Sequence, residues 1–184
     1  LKVEARRAGR IFDQHYPLGV PLTPVNVMGE TEESGTTIHF KPDESIFKTT
    51  EFRYERVADR LRELAFLNPD IIITLVDERG EGQSDTFHYP GGLAEFVKYI
   101  DSGKTALMTP VSISGVGTGG DEADTVVDVC FQYNDSYNET VLSYVNDINT
   151  VEGGTHVTGF RSALTRTLNN YAVKSNMVKG DKIA

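Results

Sequence analysis

Hydrophobic and polar residues alternate over residues 1–7, and residues 10–16 form a second strand-like run beyond Ala8-Gly9. A period of two broken by a glycine turn predicts a β-hairpin. Leu1 already stands inside the first run, so the chain is expected to begin mid-fold. Residues 24–28 form another strand-like run that leads into the polar stretch 29–34. Residues 35–40, Gly-Thr-Thr-Ile-His-Phe, read as a strand rich in β-branched side chains, ended by Pro42-Asp43. The period then lengthens. Tyr54, Val57, Ala58, Leu61, Leu64 and Ala65 recur every three or four residues, which predicts a helix with one apolar face. Thr50 is its expected cap, Glu51 suits the first turn, and Asn68-Pro69 ends it. Arg53, Arg56, Asp59, Arg60 and Glu63 fall mostly on the wet face.

An apolar run at 71–76 predicts a strand, returned by a polar turn at 78–84 to a second strand at 86–89. Leu93, Phe96, Val97 and Ile100 have the i, i+3, i+4, i+7 spacing of a second helix. Residues 112–124 are rich in glycine and acid and are expected to form a connecting loop. Strands at 125–133 and 139–145 are expected to pair across residues 134–138. A last helix is expected from about 158 to 173, with Phe160, Ala163, Leu164, Leu168, Tyr171 and Ala172 as its buried stripe. Hairpin-linked strands mixed with few helices predict an α+β layered fold and not a doubly wound parallel sheet. A boundary near Gly91-Gly92 divides residues 1–90 from residues 91–184.

With 184 residues, 39% of them hydrophobic and 24% charged, the composition is that of an ordinary globular chain. No apolar run approaches the roughly 18 residues that a membrane-spanning helix requires, so no membrane partner is expected. No signal-peptide pattern opens the chain, and Cys130 is the single cysteine. Together these predict a reducing, cytoplasmic setting, with Cys130 as a small buried residue. The net charge of −9 argues against a general nucleic-acid coat. The charge is uneven, however. From Gly153 onward Arg161, Arg166, Lys174, Lys179 and Lys182 face Asp181 alone, a local balance of +4. That permits one localised phosphate contact, or equally a solvated helix face with a basic tail.

Gly115-Val116-Gly117-Thr118-Gly119-Gly120 matches the spacing of a dinucleotide-binding turn. The match is rejected, because Asp121, Glu122 and Asp124 follow at once and would repel a pyrophosphate. Those acids are read as a solvated loop, not a metal site. His15, His39, His88 and His156 are scattered, and no Cys/His cluster has metal spacing. No complete catalytic set is visible. Two segments stand out. In Gly35-Thr36-Thr37-Ile38, Thr36 offers a hydroxyl and Ile38 an apolar wall, which suit a small planar ligand or simply a strand start. In residues 152–161, Gly153 and Gly154 free the backbone, Thr155 and His156 supply polar groups, and Arg161 lies off the apolar stripe. This junction suits an anion, a moving neighbour, or an ordinary glycine loop before a helix.

Four blocks occur in order: residues 35–43, residues 60–68 (Arg-Leu-Arg-Glu-Leu-Ala-Phe-Leu-Asn), residues 88–92 (His-Tyr-Pro-Gly-Gly), and residues 152–170, which end in Arg161-Ser162-Ala163-Leu164-Thr165-Arg166-Thr167-Leu168-Asn169-Asn170. By these blocks the chain resembles the bacterial DNA gyrase B family, the ATP-hydrolysing subunits of type II topoisomerases. The resemblance covers almost the whole chain, and the corresponding subunit of topoisomerase IV shares most of it. It implies that residues 1–90 are the back half of a gyrase/Hsp90-type ATPase α/β sandwich. Residues 91–184 would be the first part of a ribosomal-protein-S5-like transducer domain. Thr36 would join the hydrogen bonds around adenine, Ile38 would wall that pocket, and Arg7 would stand at its mouth where aminocoumarin-type inhibitors bind. Gly153, Gly154, Thr155, His156 and Arg161 would belong to the coupling region, with Arg161 facing a DNA-sized cavity. ATP and Mg are the implied cofactors. The implied partners are gyrase A, a second copy of gyrase B, and double-stranded DNA. The family's general-base glutamate, magnesium-binding asparagine and glycine-rich phosphate loop would precede residue 1, and its γ-phosphate lysine would follow residue 184. The chain alone is therefore expected to be inactive and to hold neither a catalytic nor a metal residue. A non-catalytic dimerisation or transducer-like binding module of the same fold is the competing expectation.

Overall fold

A computed structural model describes residues 1–117 and 125–177 of the chain. They divide into two compact units, Leu1–Arg53 and the residues from Tyr54 onward.

The first unit is a four-stranded antiparallel sheet in the order β3-β2-β1-β4, with β1 Lys2–Arg7, β2 Arg10–His15, β3 Asn26–Glu30 and β4 Gly35–His39. The expected hairpin forms. Ala8 and Gly9 both take positive φ, 51° and 77°, the geometry that makes a two-residue turn match strand twist. β3 lies two residues later than expected, and its pairing with β2 shifts register between Ile11 and Phe12. The two sheet faces differ in chemistry. Val3 and Ala5 lie opposite Ile38 and Thr36 on one face, and Phe12 lies opposite Ala5 there. The other face is lined by charged and polar side chains. Lys2 and His15 flank the buried Asp13 at 3.7 and 3.3 Å, and Arg6 pairs with Glu4 at 2.8 Å.

The second unit opens with helix α1, Tyr54–Leu67, and the hairpin of β5 Ile73–Asp77 with β6 Gln83–Phe87. Ala58, Ala65 and Phe87 form its buried core, with Tyr54, Leu61, Ile73, Leu75 and Tyr89 packed around them. Two alanines at helix spacing let α1 settle close on the hairpin. Helix α2, Gly92–Ile100, follows, and Phe66 joins the two helices. Its ring stacks on Tyr89 at 3.7 Å and on Phe96 at 4.8 Å between centroids. Arg62 covers this cluster, lying over Phe87 and Tyr99 at 5.3 and 5.6 Å. β7 Val111–Gly117 pairs along its length with β8 Thr125–Phe131. A short hairpin, β9 Tyr144–Val145 with β10 Ile148–Asn149, precedes the 20-residue helix α3, Thr155–Lys174.

Several expectations need correction. α1 begins at Tyr54 and not after Thr50; the residues just before it include Phe52, whose ring stands edge-on to Phe40 at 6.1 Å and belongs to the first unit. Arg60 and Glu63 are half-buried and not on a wet face. Phe66 is the most deeply buried large side chain, although the stripe did not include it. Residues 111–117 are a strand and not a loop, since Val111 and Ile113 alternate with small polar residues behind the conspicuous glycines. β8 therefore pairs with β7, not with residues 139–145. Of that second segment only Tyr144–Val145 is strand, turned back at once by Asn146 and Asp147. α3 starts three residues early. Its stripe is only partly covered: Ala172 is buried, Phe160 and Leu164 are half-buried, and Ala163, Leu168 and Tyr171 are exposed. The mixed α+β class stands.

Candidate functional sites

In the first unit the strand register decides what Arg7, Thr36 and Ile38 can do. Thr36 lies opposite Ala5, Ile38 opposite Val3, and Arg7 two residues beyond Ala5 on the same strand. Residues directly opposite share a face, as do residues two apart on one strand. All three therefore present from one face, the apolar one. Ile38 is 61% exposed, and Arg7 and Thr36 are exposed as well. A hydroxyl, a branched apolar wall and a guanidinium aligned along a β-surface suit a flat ligand with hydrogen-bonding edges and a charged end.

The second site is built around the entrance to α3. Thr150 closes the β9–β10 hairpin: its amide donates to the Ser143 carbonyl at 2.8 Å, and the two hydroxyls lie 2.6 Å apart. The chain then turns through Gly153, whose φ of 76° is a left-handed value that a side chain would strain, and the Gly153 amide donates back to the Thr150 carbonyl. Gly154, at φ 159°, is extended and leads into α3. A Cβ there would stand 2.7 Å from the His156 ring. His156, in the first turn of α3, reaches back to the Thr150 hydroxyl at 3.2 Å. Thr155 is the first helical residue and is exposed, and no side chain caps the helix. His156 stays exposed while it bonds back to its own approach through Thr150.

Arg161 is exposed as expected, but it is paired. Its guanidinium donates to the Glu139 carboxylate at 2.7 Å, so Glu139, which the periodicity assigned to a strand, belongs to the site. Arg161, Ser162, Thr165, Arg166, Asn169 and Asn170 line a shallow surface depression of about 510 Å³ along α3. Two arginines with amide and hydroxyl groups at helical spacing give a donor-rich strip suited to phosphate oxygens.

Among the described residues no group of three His, Cys, Asp or Glu side chains could hold a metal ion. Gly115 and Gly117 are inside β7, which pairs along its length with β8, so these two glycines of the rejected dinucleotide motif are strand residues. Gly119, Gly120, Asp121, Glu122 and Asp124 lie outside the described residues, as do Lys179, Asp181 and Lys182. Cys130 is half-buried in β8, with its sulfur 3.5 Å from the Ser112 hydroxyl. No helix among the described residues is long and apolar enough to cross a membrane.

Comparison with known proteins gives the family. The model of the family described as DNA gyrase B matches residues 92–184, half of the chain. The chain belongs to the DNA gyrase B family. It is 48% identical to the DNA gyrase B protein of Cytophaga aurantiaca over 97% of its own length, which is 38% of that relative. It is 46% identical to the DNA gyrase B protein of Thermotoga maritima over 98% of its length, 29% of that relative. The chain thus spans well under half of these gyrase proteins. Among solved structures it resembles the 43K ATPase domain of Thermus thermophilus gyrase B, crystallised in complex with an aminocoumarin. The TM-score is 0.79 at 35% identity, covering all of this chain and 49% of that one.

Proposed function

We propose that this chain is part of the ATP-hydrolysing subunit of a bacterial type II DNA topoisomerase of the gyrase kind, acting in the cytoplasm. In the complete enzyme ATP with magnesium closes two such subunits into a gate, hydrolysis reopens it, and rigid-body domain movement couples that cycle to DNA strand passage and negative supercoiling. Residues 1–90 would be the back half of the ATPase sandwich and residues 91–184 the opening of the transducer. Gyrase A, a second copy of gyrase B and double-stranded DNA are the partners in this reading.

One observation carries the assignment: the likeness to a gyrase ATPase domain runs through the whole chain and not through a single motif. Two features agree with it. The shared face of Arg7, Thr36 and Ile38 suits one wall of a nucleotide pocket; in this reading Arg7 stands at its mouth, where an aminocoumarin such as the one in the Thermus complex would bind. The donor-rich strip beginning at Arg161, approached through Gly153, Gly154, Thr155 and His156, suits DNA phosphates.

In this reading the general base and the magnesium ligand are not among these residues, so the 184-residue chain is expected to show no ATP turnover. A coupled-enzyme ATPase assay checks this. Magnesium-dependent hydrolysis by the purified chain, abolished by a substitution within it, would overturn the division of roles proposed for these residues.

A further inference from the structure

Among the described hydrogen bonds, the one that joins the most distant positions of the sequence links α1 to the β9–β10 turn. Arg60 donates through Nη2 to the Asp147 carbonyl at 2.7 Å, while its Nη1 pairs with Glu63 at 2.6 Å. One planar guanidinium therefore holds a carboxylate of its own helix and a carbonyl 87 residues away. The carbonyl is presented by a tight turn. Asn146 and Asp147 take φ values of 48° and 64°, which these two residue types tolerate better than most. Tyr144, at the start of the same hairpin, adds to the contact. Its ring lies 6.5 Å from Phe96, and its buried hydroxyl is pushed up to about 12 by burial and by the Glu63 carboxylate. Arg60 acts on Tyr144 in the opposite direction.

From this turn the contacts continue without a gap. Thr150 closes the hairpin on Ser143, and His156 takes hold of the Thr150 hydroxyl from the first turn of α3. Beyond this entrance, the first half of α3 meets the unit through Phe160 against Phe131, at 6.0 Å, and through the Arg161–Glu139 ion pair, and Ala172 is buried near its far end. The entrance is thus one of several ties that place α3.

We propose that Arg60 is a positioning residue: by gripping the Asp147 carbonyl it sets the β9–β10 turn, and through Thr150 and His156 it sets the direction of α3. The functional consequence rests on the reading of α3 as the DNA-facing helix. A displacement of α1 would then move Arg161 and the donor strip without any contact between α1 and DNA.

The test uses full-length gyrase B in its complete enzyme, with Arg60→Gln, Thr150→Val, the double variant, and Arg56→Gln as a charge control on the exposed side of α1. Two readouts are needed: amide hydrogen exchange over residues 155–160 without DNA, and basal against DNA-stimulated ATP turnover. Arg60→Gln and Thr150→Val are each expected to accelerate that exchange. Each should cut the stimulated rate about two- to thirtyfold, the range for residues that modulate coupling, with basal turnover within about twofold of the parent. The double variant should be no worse than the poorer single one, since both cut the same link. Arg56→Gln should change neither readout. Unchanged exchange in Arg60→Gln overturns the proposal, and so do losses that multiply in the double variant or basal and stimulated rates that fall together. If Arg60→Gln accelerates exchange while Arg161→Ala leaves DNA stimulation intact, the mechanical link stands and the DNA-facing reading of α3 fails.

Discussion

Helices α1 and α3 carry similar apolar stripes, and the structure treats them differently. α1 buries Ala58, Ala65 and Phe66 against a hairpin and a second helix. α3 is longer by six residues, yet it buries Ala172 alone and leaves Leu168 and Tyr171 at 45% and 61% exposure. A stripe at helical spacing says which side of a helix can be covered. It does not say that the cover is present among the same residues. The difference also sorts the polar side chains. Those flanking α1, Arg60 and Glu63, are drawn into a half-buried network, whereas those on α3 stay at the surface, where a charged ligand can replace their partners.

The largest expected effect tests the contrast in burial. Phe66→Ala removes a ring stacked on two others and should lower stability by about 3–5 kcal/mol, whereas Leu168→Ala should cost under about 1 kcal/mol. Urea unfolding of the two variants beside the parent measures both. Equal losses would mean that α3 is as well covered as α1. The next effect tests the surface role of α3. In the complete enzyme, Arg161→Ala should weaken DNA stimulation of ATP turnover while sparing nucleotide binding. It should also reduce the slope of log affinity against log salt by about one, the signature of a lost phosphate contact. DNA titrations at several salt concentrations give the slope.

Glu139→Gln should act in the opposite direction and more weakly. Releasing Arg161 from an exposed ion pair is expected to raise DNA affinity about two- to fivefold, in keeping with the modest strength of such pairs. In the Arg161→Ala background the same change should do little. An equal gain in both backgrounds would reduce Glu139 to a general charge effect. The smallest effect concerns pH and returns to the hairpin under α1. Asp77 is lowered from 3.8 to about 2 by hydrogen bonds from the Arg79 side chain and amide. Its folded value lies below its unfolded value, so the associated stability is fully present above about pH 4 and is lost as pH falls from 3.8 toward 2. A carboxylate titration by nuclear magnetic resonance should show the low value, and Arg79→Gln should return it toward 3.8.

Much of the fold was legible from local pattern. The first hairpin, β4, α2 and the apolar face of α1 all appear close to where a period of two or of three to four places them. The failures have separate local causes. Gly115 and Gly117 masked β7 because glycine carries no side chain to mark a face, and β8 was then given the wrong partner. Thr50 had the chemistry of a helix cap, but Phe52, just before α1, stands against Phe40 in the first unit. The site residues divide in the same way. Arg7, Thr36, Ile38, Gly153, Gly154, Thr155, His156 and Arg161 could be named from ordered blocks of residues. Glu139, Thr150 and Arg60 could not, because their importance lies in partners 22, 6 and 87 positions away.

The sequence by itself determined the period of most elements, the glycine that the turn before α3 needs, the charge balance toward the end of the chain, and the family. Those are properties of neighbouring residues and of their order. Tertiary structure decided that Arg7, Thr36 and Ile38 share a face, that Arg161 has Glu139 for company, and that Arg60 is tied to Asp147. Each of these depends on strand register or on a contact between distant positions, and one residue of slip in a strand would reverse the face without altering the pattern.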